Sequence, residues 1–242
     1  MNRRQVLKLF GQATASLAVA PHISAKELHG FPHETALTED HLPNPAQTGR
    51  FRVLTKQVDR DTLSAVYDRL IPADEYGPSA TEAGCLEFID DQLAGDYGSG
   101  KALYLEGPMD RENEIKLLGK PQFLATPKER YLTGLTALEA YSQKHYKVAF
   151  AALSPDQVDE FLLALEADTI DLGKDIDGAA LFELMLQNAR EGYLADPIYG
   201  GNKDMAGWKM IGFPGARYDY RPYLARRGEA LNLIPVSLIP ND

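Results

Sequence analysis

Apolar residues recur at helical spacing through most of this chain, interrupted by proline and glycine. Between Val53 and Ile71, positions Leu63, Val66, Tyr67, Leu70 and Ile71 fall at i, i+3, i+4, i+7 and i+8, which predicts an amphipathic helix stopped by Pro72. A second helix is predicted over Thr81 to Leu93, with Leu86, Ile89 and Leu93 on one face and Asp90 and Asp91 on the other. A third runs from Glu129 to Phe150 through Tyr131, Leu132, Leu135, Leu138, Tyr141 and Tyr146. Ser154-Pro155-Asp156-Gln157 is a start signal: Ser154 can cap, Pro155 fits the first turn and Gln157 can reach back, opening a helix that continues to about Ala167. Ala179 to Tyr193 places Leu181, Phe182, Met185, Leu186 and Ala189 inward. The only strand candidate is the tail from Leu231 to Ile239, and Pro235 and Pro240 limit it to a short or edge strand. The expected fold is mainly α: a helical body followed by a long C-terminal loop region rich in Gly, Pro and aromatic residues, with little or no strand.

Charge narrows the partners. The chain has 242 residues, with 25 Lys and Arg against 35 Asp and Glu, a formal charge of −10. Nucleic acid and anionic membrane surfaces call for clustered cations, so neither is expected as a partner. A single cysteine, Cys85, excludes an intrachain disulfide framework, a c-type haem attachment pair and a cysteine-ligated iron–sulfur cluster held by this chain alone. It is either a buried thiol or a candidate intersubunit thiol.

The beginning of the chain reads as an address. Arg3, Arg4, Leu7 and Lys8 precede a weakly apolar run from Leu9 to Ala20, the anatomy of a twin-arginine export signal over residues 1–25. A dozen residues diluted by Gly11, Gln12, Thr14 and Ser16 are too short to anchor in a ~30 Å hydrocarbon core. Cleavage after Ala25 would leave 22 basic against 35 acidic residues, a charge of −13. Residues 26–52, with Pro32, Pro43 and Pro45 and no sustained periodicity, are expected to form an extended arm, and 53–242 a single helical domain. The arm holds His29, His33 and His41, but Pro32 denies His29 and His33 a shared helical face, so no metal site is assigned there.

Other motifs fail on inspection. Gly95 to Lys101 approaches a phosphate loop, yet Ala102 stands where a hydroxyl would hold magnesium, and a helix precedes it. Asp175-Ile176-Asp177-Gly178 suggests a calcium loop, but the register puts Gly173 and Leu184 at ligand positions. His145 sits within a helix beside Tyr141 and Tyr146 and reads as structural. No nucleophile, base and oxyanion donor converge, and no catalytic, cofactor-binding or metal residue is assigned.

The informative stretch is Glu191 to Gly215, where the helical period gives way to six glycines, two prolines and the only tryptophan. Tyr193, Tyr199, Trp208 and Phe213 supply large amphipathic area on a stiffened loop. Such a loop either binds another protein or folds back to cap its own helices. The series Gly192-Tyr193-x-x-Asp196-Pro197-x-Tyr199-Gly200-Gly201-Asn202, followed by Gly207-Trp208 and Pro214-Gly215, resembles the gluconate 2-dehydrogenase subunit 3 family. The resemblance extends to Leu70-Ile71-Pro72, Phe88-Ile89-Asp90 and Leu153-Ser154-Pro155.

That resemblance implies a non-catalytic small subunit of a membrane-associated, periplasm-facing dehydrogenase complex. The implied partners are a large FAD-dependent flavoprotein of the glucose-methanol-choline type, a multihaem cytochrome c and the twin-arginine translocase. FAD and haem c would lie in those partners, with no cofactor in this chain. The small subunit would support folding, stability and export of the flavoprotein. The family name makes D-gluconate the default substrate, oxidised to 2-dehydro-D-gluconate; glucose, fructose, sorbitol or glucoside dehydrogenases are alternatives. More distant alternatives are an independent periplasmic binding module and a hydrolase with Asp196 as base.

Overall fold

The computed structural model describes residues 49–103, 105–106, 109–110, 113, 122–173, 176–217 and 219–238. The export signal, the four histidines before residue 42 and nearly all of the N-terminal arm lie outside these residues. Pro43–Asp242 forms one compact unit. Its described residues contain helices and no strand, a mainly α fold.

Helix α1 (Gln57–Leu70) is the hub, packing against α2 (Cys85–Ala94), α3 (Pro127–His145), α4 (Pro155–Glu166) and α5 (Gly178–Leu194). It presents Leu63, Val66 and Tyr67 to the core, all fully buried. Local chemistry sets the starts of the later helices. Thr126 and Glu129 form a capping box ahead of α3, with Pro127 in its first turn. Ser154 and Gln157 do the same for α4, as the sequence predicts. Asp177, part of the rejected calcium loop, caps α5 by accepting from the Ala180 amide at 2.8 Å. The phosphate-loop look-alike from Gly95 to Lys101 forms consecutive turns, with Lys101 paired to Asp96 at 2.7 Å.

Three expected boundaries move by four residues or more. Helix α1 begins at Gln57 rather than Val53, because the amides of Arg52, Val53 and Leu54 all point at the Asp90 carboxylate, at 2.7, 2.9 and 2.6 Å. Asp90 therefore does not belong to a solvated face as expected: it is fully buried, binding the segment before α1 to α2. Residues 80–84 form turns before α2 starts at Cys85. Helix α3 stops at His145 rather than Phe150. The amides of Tyr146 and Lys147 both return to the Ser142 carbonyl, Lys147 adopts φ +63°, and the reversal swings Phe150 into the core. There Phe150 meets Phe161 edge-on, with ring centroids 5.1 Å apart.

A polar chain runs through the centre. The Tyr67 and Tyr131 hydroxyls lie 2.9 Å apart; Tyr131 donates to Asn188 Oδ1 at 3.0 Å, and Tyr97 donates to the same oxygen at 2.9 Å. Because Tyr131 gives its proton to Asn188, Tyr67 must donate to Tyr131, and each hydroxyl in the chain is satisfied. Burial pushes both Tyr67 and Tyr131 well above the ordinary phenol range. The network ties α1, α3, α5 and the turn after α2 at one point, and Asn188 Nδ2 closes it by donating to Glu191 at 2.8 Å.

Candidate partner-binding surface

The segment after α5 is a clasp built from short pieces. Pro197–Tyr199 and Lys203–Met205 form single 3-10 turns, and α6 (Ala206–Ile211) is a helix of little more than one turn. The sequence reading leaves α6 within the loop region because Gly207 and Gly212 bracket too few residues to show a period.

Backbone lies on backbone throughout the clasp. A Cβ on Gly201 would overlap the Gly192 carbonyl oxygen, and one on Gly207 would overlap the Tyr193 carbonyl oxygen. Glycine at these two positions lets the returning chain touch the last turn of α5. Gly192 itself lies against Phe88 and Cys85, while Gly200 approaches Gly84 at the start of α2. The clasp thus seats on both α5 and α2.

Polar side chains close the remaining gaps. Asn202, fully buried at φ +46°, donates through Nδ2 to the Ala195 carbonyl and accepts from the Gly207 amide, both at 2.8 Å. Asp196 caps the Pro197 turn by accepting from Ile198 N at 3.0 Å, and its other oxygen accepts from Leu238 N at 2.9 Å. Both Asp196 oxygens thus serve backbone amides, which is the work of a structural cap. Trp208 donates its indole N–H to the Leu194 carbonyl at 2.7 Å, and the Tyr193 hydroxyl donates to the Pro78 carbonyl at 2.8 Å. Gly215, at φ +75°, pairs with Val236 in an isolated parallel bridge, with Pro214 O accepting from Val236 N. The tail contributes this one bridge among the described residues.

The four aromatics separate into two pairs. Tyr193 and Trp208 are 2% and 5% exposed and face inward. Tyr199 and Phe213 are 42% and 44% exposed, with Phe213 resting edge-on against Trp208 at 5.2 Å. Leu194, Met210 and Ile211, of the same stretch of chain, are exposed as well. The clasp therefore both caps its own helices and carries an apolar outer rim. Elsewhere, His145 stacks on Tyr141 with ring centroids 4.1 Å apart.

Cys85 is free and fully buried, its thiol 3.8 Å from the Ala189 carbonyl. Burial pushes the thiol up to about 12. It can meet a second chain only if the contact between α2 and α5 opens. Among the described residues, no group of three or more His, Cys, Asp or Glu could hold a metal ion, and no helix is long and apolar enough to cross a membrane.

Fold and clasp together define a mainly helical chain whose most constrained backbone supports a patch of uncovered apolar side chains, the architecture of a subunit. The sequence model described as gluconate 2-dehydrogenase subunit 3 matches residues 57–215, from the first residue of α1 to the glycine that ends the clasp. The chain belongs to this family, the small subunits of gluconate 2-dehydrogenase-type oxidoreductase complexes. Neither a curated protein nor a solved structure matches it.

Proposed function

We propose that this chain is the non-catalytic small subunit of a periplasm-facing, membrane-associated dehydrogenase complex, where it supports folding, stability and twin-arginine export of an FAD-dependent large subunit. The observation that carries this reading is the family match spanning the helical body and the whole clasp. The apolar rim supports it, since a clasp needed only to cap α5 has no use for exposed Met210, Ile211 and Phe213. Arg3, Arg4, Leu7 and Lys8 would address the assembled pair to the translocase, a route that carries folded proteins. Substrate oxidation would take place on the partner's flavin, and electrons would leave through a multihaem cytochrome c. The family's name favours D-gluconate, giving 2-dehydro-D-gluconate.

The test is co-expression with the large subunit and assay of the periplasmic fraction with D-gluconate and a dye acceptor. Replacing Arg3 and Arg4 together by Lys is expected to leave the flavoprotein and its activity in the cytoplasm. A flavoprotein that reaches the periplasm fully active in cells lacking this chain would overturn the proposal.

A further inference from the structure

The rim has a sign as well as a polarity. Residues 203–227 carry six Lys and Arg against two Asp, whereas the rest of the chain carries 19 against 33. An acidic protein thus carries net positive charge in the segment that includes exposed Met210, Ile211 and Phe213. There Arg221 and Arg226 are paired with Asp219 and Glu229, and Lys203 and Lys209 are not paired with a carboxylate among the described residues. Both lysines are exposed and flank the rim, from the turn before α6 and from α6 itself. We propose that Tyr199, Met210, Ile211 and Phe213, bordered by Lys203 and Lys209, form the docking surface for a protein face that is apolar at its centre and acidic at its edge. This deepens the reading above, on which it rests, by assigning the large-subunit contact to this patch and giving the chemistry of the opposing face.

Other occupants fit less well. A symmetric dimer through the same patch would bring its cations against their own copies, which opposes self-association. An anionic bilayer would attract the two lysines but repel the acidic remainder of the chain. A carboxylate-edged protein face satisfies both the apolar centre and the cationic border. Desolvated apolar contacts would hold the complex, and the charges would steer and orient it.

The experiment uses the full chain, tagged and co-expressed with the large subunit, with retention of that subunit measured at about 50 and about 300 mM NaCl. Retention by the wild type is expected to weaken with salt. Lys203→Glu with Lys209→Glu should lower affinity at least about ten-fold at low salt and flatten the salt dependence. Ile211→Ser with Phe213→Ser should weaken binding at both salt concentrations. Circular dichroism and thermal melting of each variant alone confirm that it folds, and Lys203→Gln with Lys209→Gln gives an intermediate loss. A charge-reversed variant that binds within about two-fold of wild type at both salts overturns the assignment. So does a wild-type chain that dimerises, or binds phosphatidylglycerol vesicles, through these same residues. Failure of the unmutated chain to retain the large subunit instead overturns the subunit reading itself, and the wild-type control separates the two cases.

Discussion

Asp90 shows how much one side chain can organise. Three consecutive amides converge on it, two on one oxygen and one on the other. Asp90→Asn keeps the shape but turns an N–H toward the Arg52 amide, and is expected to lower stability by about 1 to 3 kcal/mol in urea unfolding, because the part-buried amide then loses a charged acceptor and faces a second donor. Cys85 gives a pH prediction. Its thiol, ordinarily near 9.0, is pushed up to about 12 by burial. With the folded value above the unfolded one, the stability it contributes is complete below pH 9 and is lost as pH climbs toward 12. Between about pH 8 and about pH 11, Cys85→Ala should therefore lose about 2 to 3 kcal/mol less than wild type, measured by urea midpoints at each pH. The raised phenols of Tyr67 and Tyr131 act in the same alkaline direction in both proteins. At this scale the sequence was a partial guide. Leu63, Tyr131 and Met185 could be read as core from their period, but Asp90 could not, since its donors lie 36 to 38 residues earlier in the chain.

Elements were legible where their determinants are local. The Ser154 box at the start of α4 needs only four residues to be recognised, and Ser154→Ala should cost about 1 kcal/mol in thermal or urea unfolding. The end of α3 was not legible, because the reversal after Tyr146 depends on a place for Phe150 among side chains from other helices. The clasp falls between these cases. Its glycines and prolines announce an irregular segment, but which carbonyl each glycine approaches is fixed only by packing against α5 and α2. Gly201→Ala is expected to cost more than about 3 kcal/mol, since the added carbon meets main chain rather than a flexible side chain. Trp208, the only tryptophan, reports on the event. In wild type its emission should be that of a buried indole, and in Gly201→Ala it should shift red before the helical circular dichroism is lost.

For the whole molecule, the helical body and the clasp have different duties. The body supplies a core centred on α1, and the clasp converts the end of α5 into a rigid mount for the exposed rim. Partner binding should thus be sensitive to residues that no partner touches: Trp208→Ala would act by letting the rim sag, Phe213→Ser by removing contact area. The two are separable, because the first should lower the melting temperature much more than the second, which gives up only the edge contact on Trp208. The class of fold was readable from periodicity and the family resemblance from the clasp motif, whereas inward-facing Tyr193 and outward-facing Ile211 could be told apart only in three dimensions.

The strap on Asp90 also sets where a protease must stop. By sequence, Arg50 and Arg52 are equally good trypsin sites. The amide following Arg52 belongs to Val53 and is held by Asp90, and the Arg52 guanidinium is itself paired with Asp91 at 2.6 Å. Limited digestion of the native chain should therefore pause with Phe51 as the new N-terminus, and Asp90→Ala, which removes the acceptor of the Val53 amide, should let it run on to Val53. A hydrogen bond made to a buried carboxylate would then be visible as a two-residue difference in fragment mass.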